Sequence, residues 1–399
     1  MDRIYNHLLK DHYTDNRQMA LVSGPRQVGK TTTATMLDAD ALYLNWDNQD
    51  DRLAITRGVE NCIKTYNLDR LQAENRLLIF DELHKYRKWK QFLKGFFDSY
   101  GKHYRILVTG SAKLNIYKKI GDSLMGRYFP YRMHPLTIGE LADSTPGATE
   151  IRPPRQISAD SVETLLAYSG FPEPFLKSNK RFYNRWRKLR TEQLLREDVR
   201  EITNIHEISQ LEIMARLIRH QAGCRLNYST LARQINVTVD TIRRWLAVLE
   251  NLYYCYTVTP YYTNVPKSLR KQPKVYLWDW SLADDYGARS ENLVASHLLK
   301  AVHYWNDAGF GNYELHYVRD KTKREVNFLV SREGCPWFLV EVKAGSTGSM
   351  SPHLHYFSKL LQVEHAFQVE LAAPYVEADC FASGRPIKVP ALTFLSQLV

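Results

Sequence analysis

The stretch Gly24-Pro25-Arg26-Gln27-Val28-Gly29-Lys30-Thr31 fits the pattern G-x-x-x-x-G-K-[ST], and no other segment restricts the fold of this chain as tightly. Glycines at this spacing let the backbone turn sharply and aim its N–H groups inward. With the N-terminus of the following helix they form a cradle for phosphate oxygens. Such a loop needs a buried strand before it and a helix after it. Met19-Ala20-Leu21-Val22 is a short apolar run suited to the strand, and Thr32 to Leu37 can continue as the helix. In this frame Gly24 and Gly29 shape the cradle, Lys30 reaches the β- and γ-phosphates, and Thr31 holds Mg²⁺ through its hydroxyl, with Thr32 beside it. The ligands this predicts are ATP and Mg²⁺.

Two later apolar runs end in the residues such a site requires. Arg76-Leu77-Leu78-Ile79-Phe80-Asp81-Glu82 places four apolar residues directly before two acids, the Walker B arrangement. A buried strand ending at the nucleotide lets Asp81 bind Mg²⁺ and lets Glu82 polarise the attacking water as general base. Arg105-Ile106-Leu107-Val108-Thr109-Gly110-Ser111 reads as a further strand, ending in hydroxyls at Thr109 and Ser111 that can sense a γ-phosphate. Ala41 to Leu44 reads as another core strand, and Leu83 to Leu93 carries Tyr86, Trp89 and Leu93 at helical spacing with a basic opposite face.

The segment Ser123-Leu124-Met125-Gly126-Arg127-Tyr128-Phe129-Pro130-Tyr131-Arg132-Met133-His134-Pro135-Leu136 follows, then Ile138-Gly139-Glu140-Leu141. Together with the loop, Phe80-Asp81-Glu82-Leu83-His84 and Thr109-Gly110-Ser111, it resembles the prokaryotic AAA-superfamily ATPases of the archaeal-ATPase type over about residues 17 to 145. The resemblance implies an α/β P-loop NTPase domain with a parallel sheet. It also implies that Arg127 serves as an arginine finger or sensor, in cis or in trans, stabilising charge on the transferred phosphoryl group.

Ser144 to Pro154, rich in Pro, Gly, Thr and Ser, marks a domain boundary, and the helical stretch after it is interrupted at Gly170-Phe171-Pro172-Glu173. Tyr228 to Ile235, a turn at Asn236-Val237-Thr238, Val239 to Glu250 and a strand from Tyr253 to Val258 read as a winged helix, with Arg243 and Arg244 placed to contact DNA. From about residue 265 the chain resembles the PD-(D/E)xK nuclease-like domain that accompanies these ATPases. The carrying residues include Lys274 to Asp279, Glu291 with Asn292, Arg324 to Leu329, and Leu339-Val340-Glu341-Val342-Lys343. Glu341 and Lys343, two apart on a strand, face one side as that chemistry requires. Asn327 stands where the resemblance implies a metal-binding aspartate, so the site formed by Glu291, Asn327, Glu341 and Lys343 reads as degenerate. Glu325, two residues before Asn327, is the carboxylate nearest to replacing it.

At 399 residues the chain is too long for one core, and its net charge of +11 favours nucleic acid or another polyanion as partner. Five scattered cysteines without a C-x-x-C pair indicate neither a zinc ribbon nor a disulfide framework and fit a cytoplasmic protein; no run approaches a membrane span. The expected architecture is an AAA-type ATPase domain over 1–145, a helical linker over 146–222, a winged helix over 223–264 and a nuclease-like domain over 265–399. The expected function is ATP binding and hydrolysis acting on or regulated by nucleic acid, with homo-oligomerisation open. The alternatives are a nucleotide-gated DNA-binding or defence switch with slow turnover, and an ATP-dependent metal nuclease.

Overall fold

The apolar runs of the N-terminal third become strands covered on both faces. A computed structural model of the protein describes residues 1–69, 75–111, 124–202, 207–261, 272–346 and 348–399. In the first unit β1 (Met19–Ser23), β2 (Leu42–Asn45), β3 (Leu77–Asp81), β4 (Arg105–Gly110) and β5 (Tyr128–Arg132) form one parallel sheet in the order β2-β3-β4-β1-β5. All five residues of β1 and of β3 are buried, as continuous apolar strands in a parallel sheet must be. Register aligns their C-terminal ends: Asn45 pairs with Asp81, Asp81 with Thr109, and Ser23 with both Gly110 and Arg132. The loops leaving β1, β2, β3 and β4 therefore emerge from one edge. Phe80 packs against Phe92 and Phe96 of the helix Trp89–Tyr100, which fills one face of the sheet. That helix begins later than the sequence periodicity suggests, because Leu83–Lys85 forms only a single 3₁₀ turn before it.

The chain divides into compact units Met1–His134 and Pro135–Val399. The first boundary thus lies ahead of the expected 145/146. The reason is a buried network that ties the intervening residues to the helix Tyr286–Asp307. Lys300, wholly buried, donates from Nζ to the Glu140 carboxylate, itself wholly buried, and to Thr137 Oγ1 at 2.9 Å. His297 Nε2 accepts the Ile138 N–H at 2.9 Å. Burial pushes the His297 imidazole down to about 3, so it is neutral and free to accept that bond. The Gly170-Phe171-Pro172-Glu173 break also has a physical basis. A Cβ on Gly170 would lie 2.4 Å from both the Leu136 carbonyl oxygen and the Trp280 ring, while Pro172 opens the next helix at a position that needs no N–H.

The second unit holds helices followed by a seven-stranded sheet, ordered β12-β11-β10-β9-β8-β6-β7. Its strands are β6 (Cys255–Pro260), β7 (Lys274–Leu277), β8 (Tyr313–Arg319), β9 (Glu325–Arg332), β10 (Cys335–Lys343), β11 (His365–Glu370) and β12 (Ile387–Pro390). Helices occupy Tyr228–Ile235 and Val239–Asn251, capped by Asn227 and Thr238 side chains. The strand after them, β6, pairs antiparallel with β7 and parallel with β8, so it belongs to the large sheet rather than to a separate small domain. The expected boundary at 264/265 lies outside the described residues.

The buried pair yields a stability prediction. Removing one partner leaves a buried charge uncompensated, so Lys300→Met alone and Glu140→Leu alone each lower the unfolding free energy by about 3–5 kcal/mol, whereas the double variant recovers most of the loss. Urea unfolding of the three variants and the parent checks this; a double variant as unstable as the sum of the singles would overturn it.

Candidate functional site

The loop between β1 and the helix α2 (Lys30–Thr35) turns on Gly29, whose φ of 100° lies in the left-handed region. Gly24 leaves β1 so close to Met133 that a Cβ would lie 2.4 Å from its carbonyl oxygen. The helix α1 (Ile4–Asp15) braces the loop from behind. Arg3, 4% exposed and just ahead of α1, donates from Nη1 to the Val28 carbonyl at 2.8 Å and from Nη2 to the His134 carbonyl at 2.7 Å. The Tyr5 hydroxyl accepts the His134 N–H at 2.9 Å, and Asn6 Nδ2 donates to the Thr33 carbonyl at 3.3 Å. No local pattern marks Arg3; only its place immediately before a helix with buried Ile4 and Tyr5 distinguishes it.

Lys30 is buried and donates to the Gly24 carbonyl at 2.9 Å and the Pro25 carbonyl at 2.7 Å. Burial pulls its ammonium down to about 8, against the opposing pull of Glu82 and Asp81. Asp81, 5% exposed, is the meeting point of the site. Its Oδ2 accepts Thr31 Oγ1 at 2.8 Å and the Tyr43 hydroxyl at 2.6 Å; its Oδ1 accepts the Thr109 hydroxyl and the Glu82 N–H at 3.0 Å. Tyr43 was not singled out by sequence, although it stands in the apolar run of β2 one strand from Asp81. Ser111 is buried just past β4, and Thr32 is exposed on the first turn of α2.

Glu82 sits at φ 53°, ψ 19°, a left-handed conformation that L residues seldom adopt outside turns and functional sites. Burial raises its carboxyl above the ordinary value, with Lys30 and Lys85 pulling the other way. Its Oε2 is buried without a hydrogen-bond partner among the described residues; the His84 Nε2 atom lies 3.6 Å and the Lys85 ammonium 3.8 Å from it. An unfilled acceptor beside a Thr–Asp oxygen pair and a phosphate-type loop fits a water to be deprotonated next to a hydrated Mg²⁺.

Arg127 is not part of this constellation. Its carbonyl accepts the Met19 N–H at 2.9 Å, at the start of β1, whereas the loop leaves from the end. A five-residue strand separates the two by about 16 Å. The guanidinium is bound to Asp98 at 2.7 and 3.1 Å. A sensor role within the same chain is therefore excluded by the direction of the parallel strands.

In the second unit β9 and β10 bring Asn327, Glu341 and Lys343 together, Glu341 falling opposite Asn327 one step past the paired Val340 and Phe328. Lys343 donates to Glu341 at 2.8 Å, and Asn327 Oδ1 accepts the Val342 N–H at 2.9 Å. The amide oxygen thus serves the backbone. Glu291 does not join them. Its carboxylate takes Lys274 at 3.1 Å and the Tyr276 hydroxyl at 2.8 Å. Glu325 cannot substitute for the aspartate, because Lys274 holds it at 2.8 Å and Arg319 at 2.6 Å. Burial would raise the Glu325 carboxyl, but these two cations outweigh it and hold it below its ordinary value. No group of three or more His, Cys, Asp or Glu suited to a metal is present among the described residues. Arg243 and Arg244 are exposed on the helix Val239–Asn251, Arg243 lying 3.3 Å from Asp240 and over the Tyr228 ring.

Residues 16–142 match the AAA domain family; residues 159–291 match a domain of unknown function, DUF8612, and residues 286–376 another, DUF4143. The N-terminal unit is an AAA-type P-loop domain. The chain is 23% identical over 377 residues to an uncharacterized protein of Mycobacterium tuberculosis, covering 90% of this chain and 80% of that one. It is 22% identical over 336 residues to an uncharacterized protein of Methanocaldococcus jannaschii, covering 79% and 73%. Among solved structures it is similar to a Walker-type ATPase of Pyrococcus abyssi, with TM-score 0.41, 13% identity and coverage of 70% of this chain and 93% of that one. It is also similar to the Aeropyrum pernix ORC1 protein in complex with DNA, with TM-score 0.35, 14% identity and coverage of 74% and 93%. No helix among the described residues is long and apolar enough to cross a membrane.

The burial of Lys30 sets a stability cost with a defined pH window. Its folded value near 8 lies below the unfolded 10.5, so the unfolded chain binds more protons between those values and stability rises with pH there. At pH 7 the cost is in full, about 3 kcal/mol. Lys30→Met is therefore expected to unfold at higher urea than the parent at pH 7, by about 1–3 kcal/mol, with the advantage gone above about pH 10.5. A less stable variant at pH 7 would show that the two carbonyl bonds outweigh the burial.

Proposed function

We propose that the protein binds and hydrolyses ATP at the loop Gly24–Thr31. The observation that carries this is the convergence on Asp81 of the Thr31 and Thr109 hydroxyls, beside a buried Lys30 and an unfilled Glu82 oxygen. ATP with Mg²⁺ supplies the transferable phosphoryl group when bound. Lys30 binds its phosphate oxygens, exchanging the Gly24 and Pro25 carbonyls for them. Gly24 and Gly29 admit the phosphates to the backbone. Thr31 and Asp81 are the residues that hold Mg²⁺. Glu82 takes the proton of the attacking water, and its raised carboxyl value makes it a better base near neutral pH than an ordinary glutamate. Ser111 and Thr32 border the phosphate site. Arg127, if it acts on a nucleotide, serves that of a neighbouring copy in a homo-oligomer.

The switch reading, in which the bound state is the signal and turnover is slow, is favoured by one feature: Lys30 already bonds two carbonyls and Asp81 takes four donors within the protein. Nucleic acid is the partner we infer from the net charge of +11 and from Arg243 and Arg244, exposed on the second helix of a helix-turn-helix arrangement of the winged-helix type. For the restriction-endonuclease-like reading of the C-terminal region, the commitments of Asn327 and Glu325 support a non-nucleolytic role.

Lys30→Ala should abolish ATP binding, whereas Glu82→Gln should bind ATP and fail to hydrolyse it. Equilibrium binding and phosphate release measured on both variants decide this; turnover at the parent rate in Glu82→Gln removes Glu82 as the base. Duplex DNA affinity, measured across a salt series, should fall steeply with salt, and Arg243→Ala with Arg244→Ala should lower the slope of log K against log salt by about two. An unchanged slope takes this helix off the contact surface.

A further inference from the structure

The helix Lys180–Glu192 continues through six residues of π-helix, Gln193–Asp198, a rare, wider winding that is frequent at functional sites. Beside it lies a cavity of about 420 Å³, closed on the other side by the helix Ile208–His220 and floored by Tyr254. This volume falls within the roughly 300–1,000 Å³ of small-molecule sites. Arg187, Lys188, Arg216 and Arg219 line it. Of its acids, Glu212 is taken by Arg196 at 2.8 Å, and Arg219 is paired with Asp284 outside the lining, which leaves Glu192 against Arg187, Lys188 and Arg216. Lys188 and Arg216 have no ion-pair partner among the described residues. Arg219 donates to Asp284 from Nη2, yet its Nε is buried with no hydrogen-bond partner among the described residues. A buried donor left unfilled is costly unless a ligand or other group completes it. Leu195, on the π segment, and Tyr254 add an apolar wall.

We propose that this cavity binds a small phosphorylated ligand with a planar or apolar body, at a site separate from the P-loop. More than one negative charge is needed to balance the lining, and guanidinium forks suit phosphate oxygens bidentately. The volume suits a mononucleotide, and the wall of Leu195 and Tyr254 accepts its non-phosphate part.

The test uses the full chain carrying Lys30→Ala, so that the P-loop does not contribute, with a fluorescently labelled ADP as probe and inorganic pyrophosphate as competitor. Saturable binding, displaced by pyrophosphate and weakened about tenfold or more by Lys188→Ala with Arg216→Ala, is the expected result. Both positions are exposed, and unchanged circular dichroism and melting confirm that the variant is folded. The parent chain with the same double substitution should keep probe binding at the P-loop, so failure of either site is read independently. No saturable binding in the Lys30→Ala chain, or binding unaffected by the double substitution, overturns the proposal. Displacement of the probe by a single-stranded oligonucleotide more effectively than by pyrophosphate at equal phosphate concentration also overturns it, and assigns the cavity to a nucleic-acid backbone.

Discussion

Four hydrogen bonds converge on the carboxylate of Asp81, and the N-terminal unit is arranged so that all four can form. They come from the first turn of α2, from the edge strand β2, from β4 and from the turn that follows β3. A carboxylate has about four lone-pair sites, so this one is saturated. The parallel register is what makes it possible. A one-residue slip of β3 would turn Asp81 to the opposite face of the sheet and bring Phe80 into its place. Because Leu77 to Phe80 are buried on both faces, the slip would cost core packing only at the strand ends, and the polar convergence at Asp81 helps to select one register over its neighbours.

The loop itself is held by residues far from it in sequence. Arg3 bonds a carbonyl of the loop and a carbonyl just past β5, and Met133 presses its own carbonyl beneath Gly24. A buried guanidinium has five donors to satisfy, so a position that fills its pairing on backbone oxygens ties it to one geometry. The cradle is thereby set before any ligand arrives, and its shape depends on the β5 end of the sheet as much as on the glycines.

What could be read from sequence divides along this same line. Lys30, Thr31, Asp81, Glu82 and Thr109 are legible because each stands at the end of its strand or a fixed few residues past it, and strand ends gather at one edge in a parallel sheet. Arg127 lies apart from them within one chain for the converse reason: it precedes β5, and residues before a parallel strand lie at the far edge. Arg3 and Tyr43 reach the site through tertiary contacts that leave no local spacing to detect. In the second unit the helix at Val239 was legible from its cap and period, but the strand after it pairs with β8, more than fifty residues onward, a distance at which sequence carries no register. Asn327 reads in sequence as an amide where the resemblance implies an aspartate; that Glu325 is committed to Lys274 and Arg319 emerges only from the strand order β9-β8-β6-β7.

The saturation of the site has a thermodynamic consequence. Lys30 already has two acceptors and Asp81 four donors, so on the proposed reading phosphate and metal would exchange hydrogen bonds more than add them. An exchange of equal bonds contributes little net free energy. The gain must come from charge: a buried ammonium held down to about 8 is relieved when an anion comes to it, and that relief favours the bound state. The same exchange reaches Tyr43, which bonds the Asp81 oxygen that Thr31 also uses. Tyr43 lies on the edge strand, and just beyond that strand Trp46 donates its N–H to the Asp81 carbonyl at 3.1 Å and stacks on Tyr86 at 4.8 Å, next to the pair Asp47 and Lys85. Asp81 is thus joined to the surface formed by Trp46, Asp47, Lys85 and Tyr86 through one backbone carbonyl and one edge strand, so the packing of that surface and the position of the carboxylate are set together.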